Sequence, residues 1–311
     1  MIETTTSFAI MGSGGVGGYF GARLARAGYP VTMIARGEHL AAMRRHGLSI
    51  EGPDESFTEK VRATDDPADV GPVDYVLFSV KLWDTEQAAR ACRPLIGPDT
   101  AVVSLQNGVD SEPMVASILG AKHVMGGVAE LSAVIEAPGR IRKFSPFHLA
   151  RFGEMLGERS ARAVRLEQCL AAAGIDADLS DDIEAAIWKK FIMLVGMSAM
   201  TAVTRMPIGA VREDADTRAM LQEIMAEAMA VARARGISLA DDLVADRLRF
   251  IDGFPYEVRA SMAMDLANGR RLELPWLSGA VVRLGNELGV ATPANRFVTT
   301  ALKLHINGAA A

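Results

Sequence analysis

The chain has 311 residues, of which 50% are hydrophobic and 23% charged, with a net charge of −5. That length suggests about two domains, and the composition is that of a globular protein able to bury a large core. With an acidic balance and no long basic run, the chain is not expected to take nucleic acid or an anionic membrane as its main partner.

Four short apolar runs punctuate the first half: Ser7 to Gly12, Val31 to Arg36, Val73 to Val80 and Thr100 to Gly108. Between them lie helix-like segments, Val16 to Ala27, Glu38 to His46 and Asp84 to Leu95. Continuous apolar strands alternating with amphipathic helices predict a parallel sheet covered on both faces, the doubly wound pattern. After about Gly153 the texture changes, and segments 159–173, 181–204, 214–235, 238–251, 255–268 and 275–289 all read as helices. DADLSDDIEAAIW places a candidate cap, Ser180, before a new long helix. The expected fold class is α/β: a Rossmann-like dinucleotide-binding domain over 1–180, then a mostly α-helical domain over 181–311.

Cys92 and Cys169 show neither metal-ligand spacing nor a disulfide framework, and so few cysteines fit a reducing compartment. The five histidines show no ligand spacing either, so no metal is assigned. The start, MIETTTSFAIMGSGG, lacks the basic region and apolar length of a signal peptide. The apolar run Phe191 to Val203 is about 13 residues, below the roughly 20 that span a bilayer. The expectation is a cytoplasmic protein.

GSGGVGG, Gly12 to Gly18, follows the first strand and opens the first helix. Gly12, Gly14 and Gly17 fit G-x-G-x-x-G: a tight turn, close approach of a pyrophosphate, and close helix–strand packing. Main-chain N–H groups of Ser13, Gly15 and Val16 would meet the anion at the helix N-terminus. About 20 residues on, where an NAD site carries an acid, VTMIARGEHL offers Arg36. Its planar fork suits a 2′-phosphate and favours NADP; Glu38 could instead take the ribose hydroxyls of NAD.

WKKFIMLVGMSAM sets Lys189 and Lys190 at the head of an apolar helix. Adjacent helical residues point about 100° apart. One lysine can therefore reach solvent along an apolar surface while the other faces a pocket. Trp188 reads as a packing anchor, and the methionines between 193 and 229 read as core.

With these features the chain resembles the ketopantoate reductases (2-dehydropantoate 2-reductases), from Phe8 to about Lys303. GSGGVGG is similar to the family's cofactor loop, SVKLWDT to its strand-end lysine motif with the lysine at Lys81, and LQNGV to its Asn-Gly turn with Asn107. WKKF is similar to its catalytic-lysine motif and points to Lys190. SMAMDLANGRRLE, from Ser261 through Asp265 to Glu273, is similar to its late motif, and GVATPAN to its C-terminal proline-containing turn. The resemblance implies reduction of a 2-oxo acid with NADPH. It makes Lys190 the general acid, with a pKa lowered by burial, and places Glu273 beside it as a partner of cofactor or substrate. Asn107 would touch the nicotinamide ribose and the substrate, Lys81 would add positive charge, and Ser261 would bind substrate. Taken singly, Lys81 reads as a surface lysine, Asn107–Gly108 as a turn, Ser261 as a helix-surface serine and Glu273 as an exposed glutamate. A homodimer is a further expectation of the resemblance.

The helix after Lys190 departs from the family. Leu194 and Ser198, four and eight residues on and on the same face, stand where the family carries substrate-binding asparagines, and Ile208 stands at a third. Loss of amide donors points to a less polar or larger carbonyl substrate than ketopantoate, or to other residues supplying those contacts. A reading from another class is a cofactor-binding sensor without turnover, for which Lys190 and Glu273 would have no use.

Overall fold

The computed structural model describes residues 5–309. The chain divides into two compact units. One runs from the N-terminal side to Asn107 and from Ser111 to Ile183; the other takes Gly108–Asp110 and the chain from Glu184 onward.

The strands of the first unit are β1 (Phe8–Met11), β2 (Val31–Ile34), β3 (Leu48–Glu51), β4 (Ser56–Glu59), β5 (Arg62–Thr64), β6 (Val73–Phe78), β7 (Ile96–Ser104), β8 (Val124–Glu130), β9 (Ala133–Ala137), β10 (Arg140–Lys143), β11 (Leu149–Glu154) and β12 (Asp176–Leu179). Its helices are α1 (Gly15–Arg26), α2 (Gly37–His46), α3 (Thr85–Ala91), α4 (Ser111–Leu119) and α5 (Ala161–Ala172). An eight-stranded sheet runs in the order β12-β11-β8-β7-β6-β1-β2-β5. β1 pairs in parallel with both β2 and β6, Phe8 lying opposite Val31 and Tyr75. Side chains alternate between two cores, because a strand sends successive residues to opposite faces. Phe8, Ile10, Tyr75 and Leu77 enter one core; Ala9, Met11, Val76 and Phe78 enter the other. The chain steps outward from β1 to β2 and β5, then returns to β6 on the far side of β1. That reversal opens a crevice at the carboxyl ends of β1 and β6, where open α/β sheets bind ligands.

A second sheet, ordered β4-β3-β10-β9, was not expected from the sequence. Its strands are short, and half of their residues are polar or charged. Leu48, Ile50 and Ile141 are buried on one side. The other side carries an ion-pair ladder, Arg142 to Glu51 at 3.0 Å and to Glu136 at 2.6 Å. This charged alternation reads as loop without the cross-strand partners.

The second unit consists of α6 (Ile183–Val203), α7 (Ile208–Glu213), α8 (Ala215–Ala234), α9 (Leu243–Asp252), α10 (Ser261–Ala267), α11 (Ser278–Leu288) and α12 (Pro293–Leu302). At 21 residues α6 is long and apolar enough to cross a bilayer, by length and composition alone, yet its apolar window is 72% buried. Trp188 is buried and meets Phe191 edge-on at 5.4 Å. Met197, Met200, Met225 and Met229 are core, whereas Met206 is exposed.

Two expected helices start later than their sequence pattern suggests, α9 at Leu243 and α10 at Ser261. Ahead of α10 the backbone is engaged elsewhere: Ile208 N–H donates to Val258 O at 2.8 Å and Gly209 N–H to Tyr256 O at 3.0 Å. The expected turn at GVATPAN ends α11 at Gly289, which lies at φ +71°, and its Pro293 enters the first turn of α12, where a missing N–H costs nothing. The buried Glu227 carboxylate caps this helix, accepting from Ala294 N–H at 2.7 Å and Asn295 N–H at 2.9 Å.

Candidate active site

In the first unit the fingerprint glycines divide their work. Gly12 lies at φ +95°, in the left-handed region, where a side chain would be strained. Gly17 has no room: a Cβ there would collide with Ser79 Oγ and the Gly12 carbonyl. A Cβ on Gly15 would collide with the Ala133 carbonyl at the start of β9. Gly14 differs, since among the described residues no atom beyond its chain neighbours lies within 4 Å of the position its Cβ would take. The loop is thus packed where it touches protein and open at Gly14, the position that in a G-x-G-x-x-G loop lets a pyrophosphate approach the backbone. Ser13, Gly15 and Val16 surround that opening in sequence, and α1 begins at Gly15 without a side-chain cap or a first-turn acid. Its N-terminal amides therefore remain suited to an anion.

Three side chains hold the loop. Ser13 Oγ donates to Ile34 O at 3.1 Å and Ser79 Oγ to Gly12 O at 2.8 Å, tying it to β2 and to the end of β6. His39 bridges from α2: its Nδ1 accepts from Gly139 N–H at 3.0 Å, so Nε2 carries the proton donated to Ser13 O at 2.9 Å. Burial holds the His39 imidazole below its ordinary pKa, consistent with this neutral form.

Arg36 ends the segment after β2, with its side chain 79% exposed and Nη2 donating to Asp84 Oδ2 at 3.0 Å. Lys81, exposed, heads a 3-10 turn after β6, with its Nζ 5.6 Å from the centre of the Trp83 ring. Gln106 clamps this turn, its Nε2 donating to Val80 O at 2.8 Å and Thr85 Oγ1 at 2.9 Å. Since Gln106 precedes Asn107, one buried amide fixes the backbone at both Lys81 and Asn107. Asn107 is half-buried, and Gly108 after it lies at φ +95°, so this turn requires its glycine.

In the second unit Lys189 is exposed and Lys190 half-buried. Leu194 is half-buried one turn on. Ser198 and Ile208, expected at substrate-facing positions, are both fully enclosed at 0% exposure. The Ser198 hydroxyl has no hydrogen-bond partner among the described residues. Of the face expected to meet substrate, only its Lys190–Leu194 end reaches the surface as placed. Thr201, three turns from Lys190 on that face, accepts from Ala260 N–H at 3.4 Å. The exposed Ser261 that follows is thereby set against the far end of the same face. Glu273 is 7% exposed, not the surface glutamate its surroundings in sequence suggest. Asp265 is half-buried and 3.8 Å from Arg270.

Sequence reading missed His39, Gln106, Ser79 and Asp84. Gln106 and Asp84 stand inside motifs that drew attention to their neighbours, but nothing local marks which backbone groups or side chains they reach.

Two family models match this chain. That described as ketopantoate reductase PanE/ApbA matches residues 8–156, and that described as ketopantoate reductase PanE/ApbA C terminal matches residues 182–306. The chain is 32% identical over 305 residues to 2-dehydropantoate 2-reductase of Mesorhizobium japonicum, covering 91% of this chain and 93% of that protein. The crystal structure of a PanE/ApbA family ketopantoate reductase from Ralstonia eutropha JMP134 matches with a TM-score of 0.89 and 35% identity, covering 96% of this chain and 98% of that one. D-mandelate dehydrogenase, solved with NADH and anilino(oxo)acetate, matches with a TM-score of 0.89 and 25% identity, covering 96% and 98%.

Proposed function

Because this chain belongs to the ketopantoate reductase family of oxidoreductases, we propose that it reduces ketopantoate (2-dehydropantoate) to pantoate with NADPH, using Lys190 as general acid. The observation that carries the cofactor reading is the opening at Gly14 in a loop otherwise packed against protein. Amides of Ser13, Gly15, Val16 and Gly17 line the pyrophosphate, and Arg36 reads the 2′-phosphate. When bound, NADPH supplies the hydride that reaches the keto carbon. The Lys190 ammonium hydrogen-bonds the carbonyl oxygen and gives it a proton as negative charge develops, so the C=O becomes a CH–OH. Glu273 hydrogen-bonds cofactor or substrate beside it. Asn107 orients the nicotinamide ribose and the substrate, Lys81 adds positive charge, and Ser261 binds substrate. The same reading has the enzyme work in the cytoplasm.

A second reading keeps the chemistry and changes the substrate to a less polar 2-oxo acid or ketone. Leu194 stands on the Lys190 face in place of an amide, and Ser198 and Ile208 are core. Buried amides built to grip a hydroxylated substrate are missing there.

The test follows oxidation of NADPH by its absorbance, with ketopantoate beside branched and aromatic 2-oxo acids and simple ketones. Ketopantoate giving the highest kcat/KM supports the first reading. A branched or aromatic acid turning over faster supports the second. NADPH binding without turnover of any carbonyl overturns both.

A further inference from the structure

Asp84 brings a carboxylate to the residue read above as the sensor of the 2′-phosphate. Its Oδ2 accepts from Arg36 Nη2 at 3.0 Å. The two come from separate elements. Arg36 precedes α2, and Asp84 closes the 3-10 turn that begins at Lys81, where its own N–H donates to Lys81 O at 2.9 Å. Asp84 is only 25% exposed while Arg36 is 79% exposed, so the carboxylate is the fixed member of the pair and the guanidinium the adaptable one. Asp84 also stands as the N-cap of α3 without making a side-chain cap bond, so its carboxylate is not engaged in capping that helix.

We propose that Asp84 is a specificity-determining residue that restrains the preference for NADPH over NADH. The inference rests on Arg36 facing the 2′ position. Arg36 keeps four further N–H donors for a phosphate. A phosphate gripped by that guanidinium lies within a few ångströms of the Asp84 carboxylate and is repelled by it. A 2′-hydroxyl is a donor and meets the same carboxylate as an acceptor. Asp84 thus supplies, from the far side of β1, the acid that NAD sites usually carry at the end of the second strand. Arg36 and Asp84 together form a mixed reader of the 2′ substituent.

The test measures dissociation constants for NADPH and NADH by protein fluorescence, on the full chain and on Asp84→Asn and Arg36→Ala. Asparagine keeps the shape and removes the charge. The ratio of NADPH to NADH affinity should rise about tenfold in Asp84→Asn, the equivalent of about 1.4 kcal/mol. The gain should shrink at high salt, since the pair is near solvent. A fall in NADPH affinity in Asp84→Asn would make Asp84 a brace for Arg36 and overturn the proposal, as would equal changes for both cofactors. Arg36→Ala reports separately on the underlying reading. If it weakens NADPH and NADH alike, Arg36 does not read the phosphate, whatever Asp84 does.

Discussion

Lys189 and Lys190 are neighbours at the head of α6, yet the first is exposed and the second half-buried. The turn of the helix separates them, and the same apolar core fixes which one faces inward. Lys190→Ala should lower kcat by about 10²–10⁴-fold, the usual worth of a general acid, with the NADPH dissociation constant nearly unchanged. Lys189→Ala should leave both nearly unchanged. Equal losses from the two variants in steady-state assays would remove the distinction.

The glycines of the loop should separate folding from binding. Gly17→Ala forces a methyl onto Ser79 Oγ and the Gly12 carbonyl, so thermal melting should fall, with overpacking costing about 1–3 kcal/mol. Gly14→Ala meets open space and should melt as the native chain does, while NADPH affinity drops about tenfold or more. Native melting for Gly17→Ala, or native affinity for Gly14→Ala, would mean that these roles are misassigned.

Ser198 is enclosed with an unpartnered hydroxyl. A buried polar group left without a partner costs about 1–3 kcal/mol. Ser198→Ala should therefore hold or raise stability, by about 1 kcal/mol in denaturant titration. Its kcat/KM should stay near the native value if the hydroxyl is out of reach of substrate. A large loss in kcat/KM at unchanged stability would instead restore Ser198 to the substrate pocket.

Glu112 should make the first unit sensitive to pH. Its carboxyl is buried beside Ser111 and Ser104, and desolvation pushes its pKa up to about 7 from an ordinary value of 4.5. A pKa raised by folding means that the protonated form favours the fold. The stabilisation is complete below 4.5 and is lost as pH rises through about 7. Glu112→Gln, which stays neutral, should gain thermal stability relative to the native chain on the alkaline side and lose that advantage on the acid side. A difference in Tm independent of pH would show that Glu112 does not titrate in this window.

The central strands could be read from sequence because burial on both faces leaves them continuously apolar, as in FAIM of β1 and VTMI of β2. The glycine loop was legible because a steric demand and a conformational one leave only glycine at Gly17 and Gly12. The helix period separated Lys189 from Lys190. What stayed hidden depends on partners distant in the chain. Arg142 signals a strand only beside Glu51 and Glu136, and β8 looks broken by Gly126 and Gly127 until its pairing with β7 and β11 is seen. Likewise the His39 bridge spans 100 residues to Gly139, and the Asp84 contact with Arg36 spans 48. The enclosure of Ser198 is set by α6 meeting the helices that follow it, which no local pattern encodes.

The position of α6 in the chain has a consequence for synthesis. It leaves the ribosome first among the helices of its unit, and the segments that cover it, ending with α12, follow over about 100 residues. At about 5–20 residues per second, a 21-residue apolar segment waits on the order of 5–20 s for its cover. During that interval it has the length and composition of a membrane span. Lys189, Lys190 and Glu184 are the charges that interrupt it, so they lie where a nascent chain needs protection from misdirection and self-association. Lys189→Leu is then expected to spare the activity of the folded enzyme while lowering the fraction of newly made chains that reach that state.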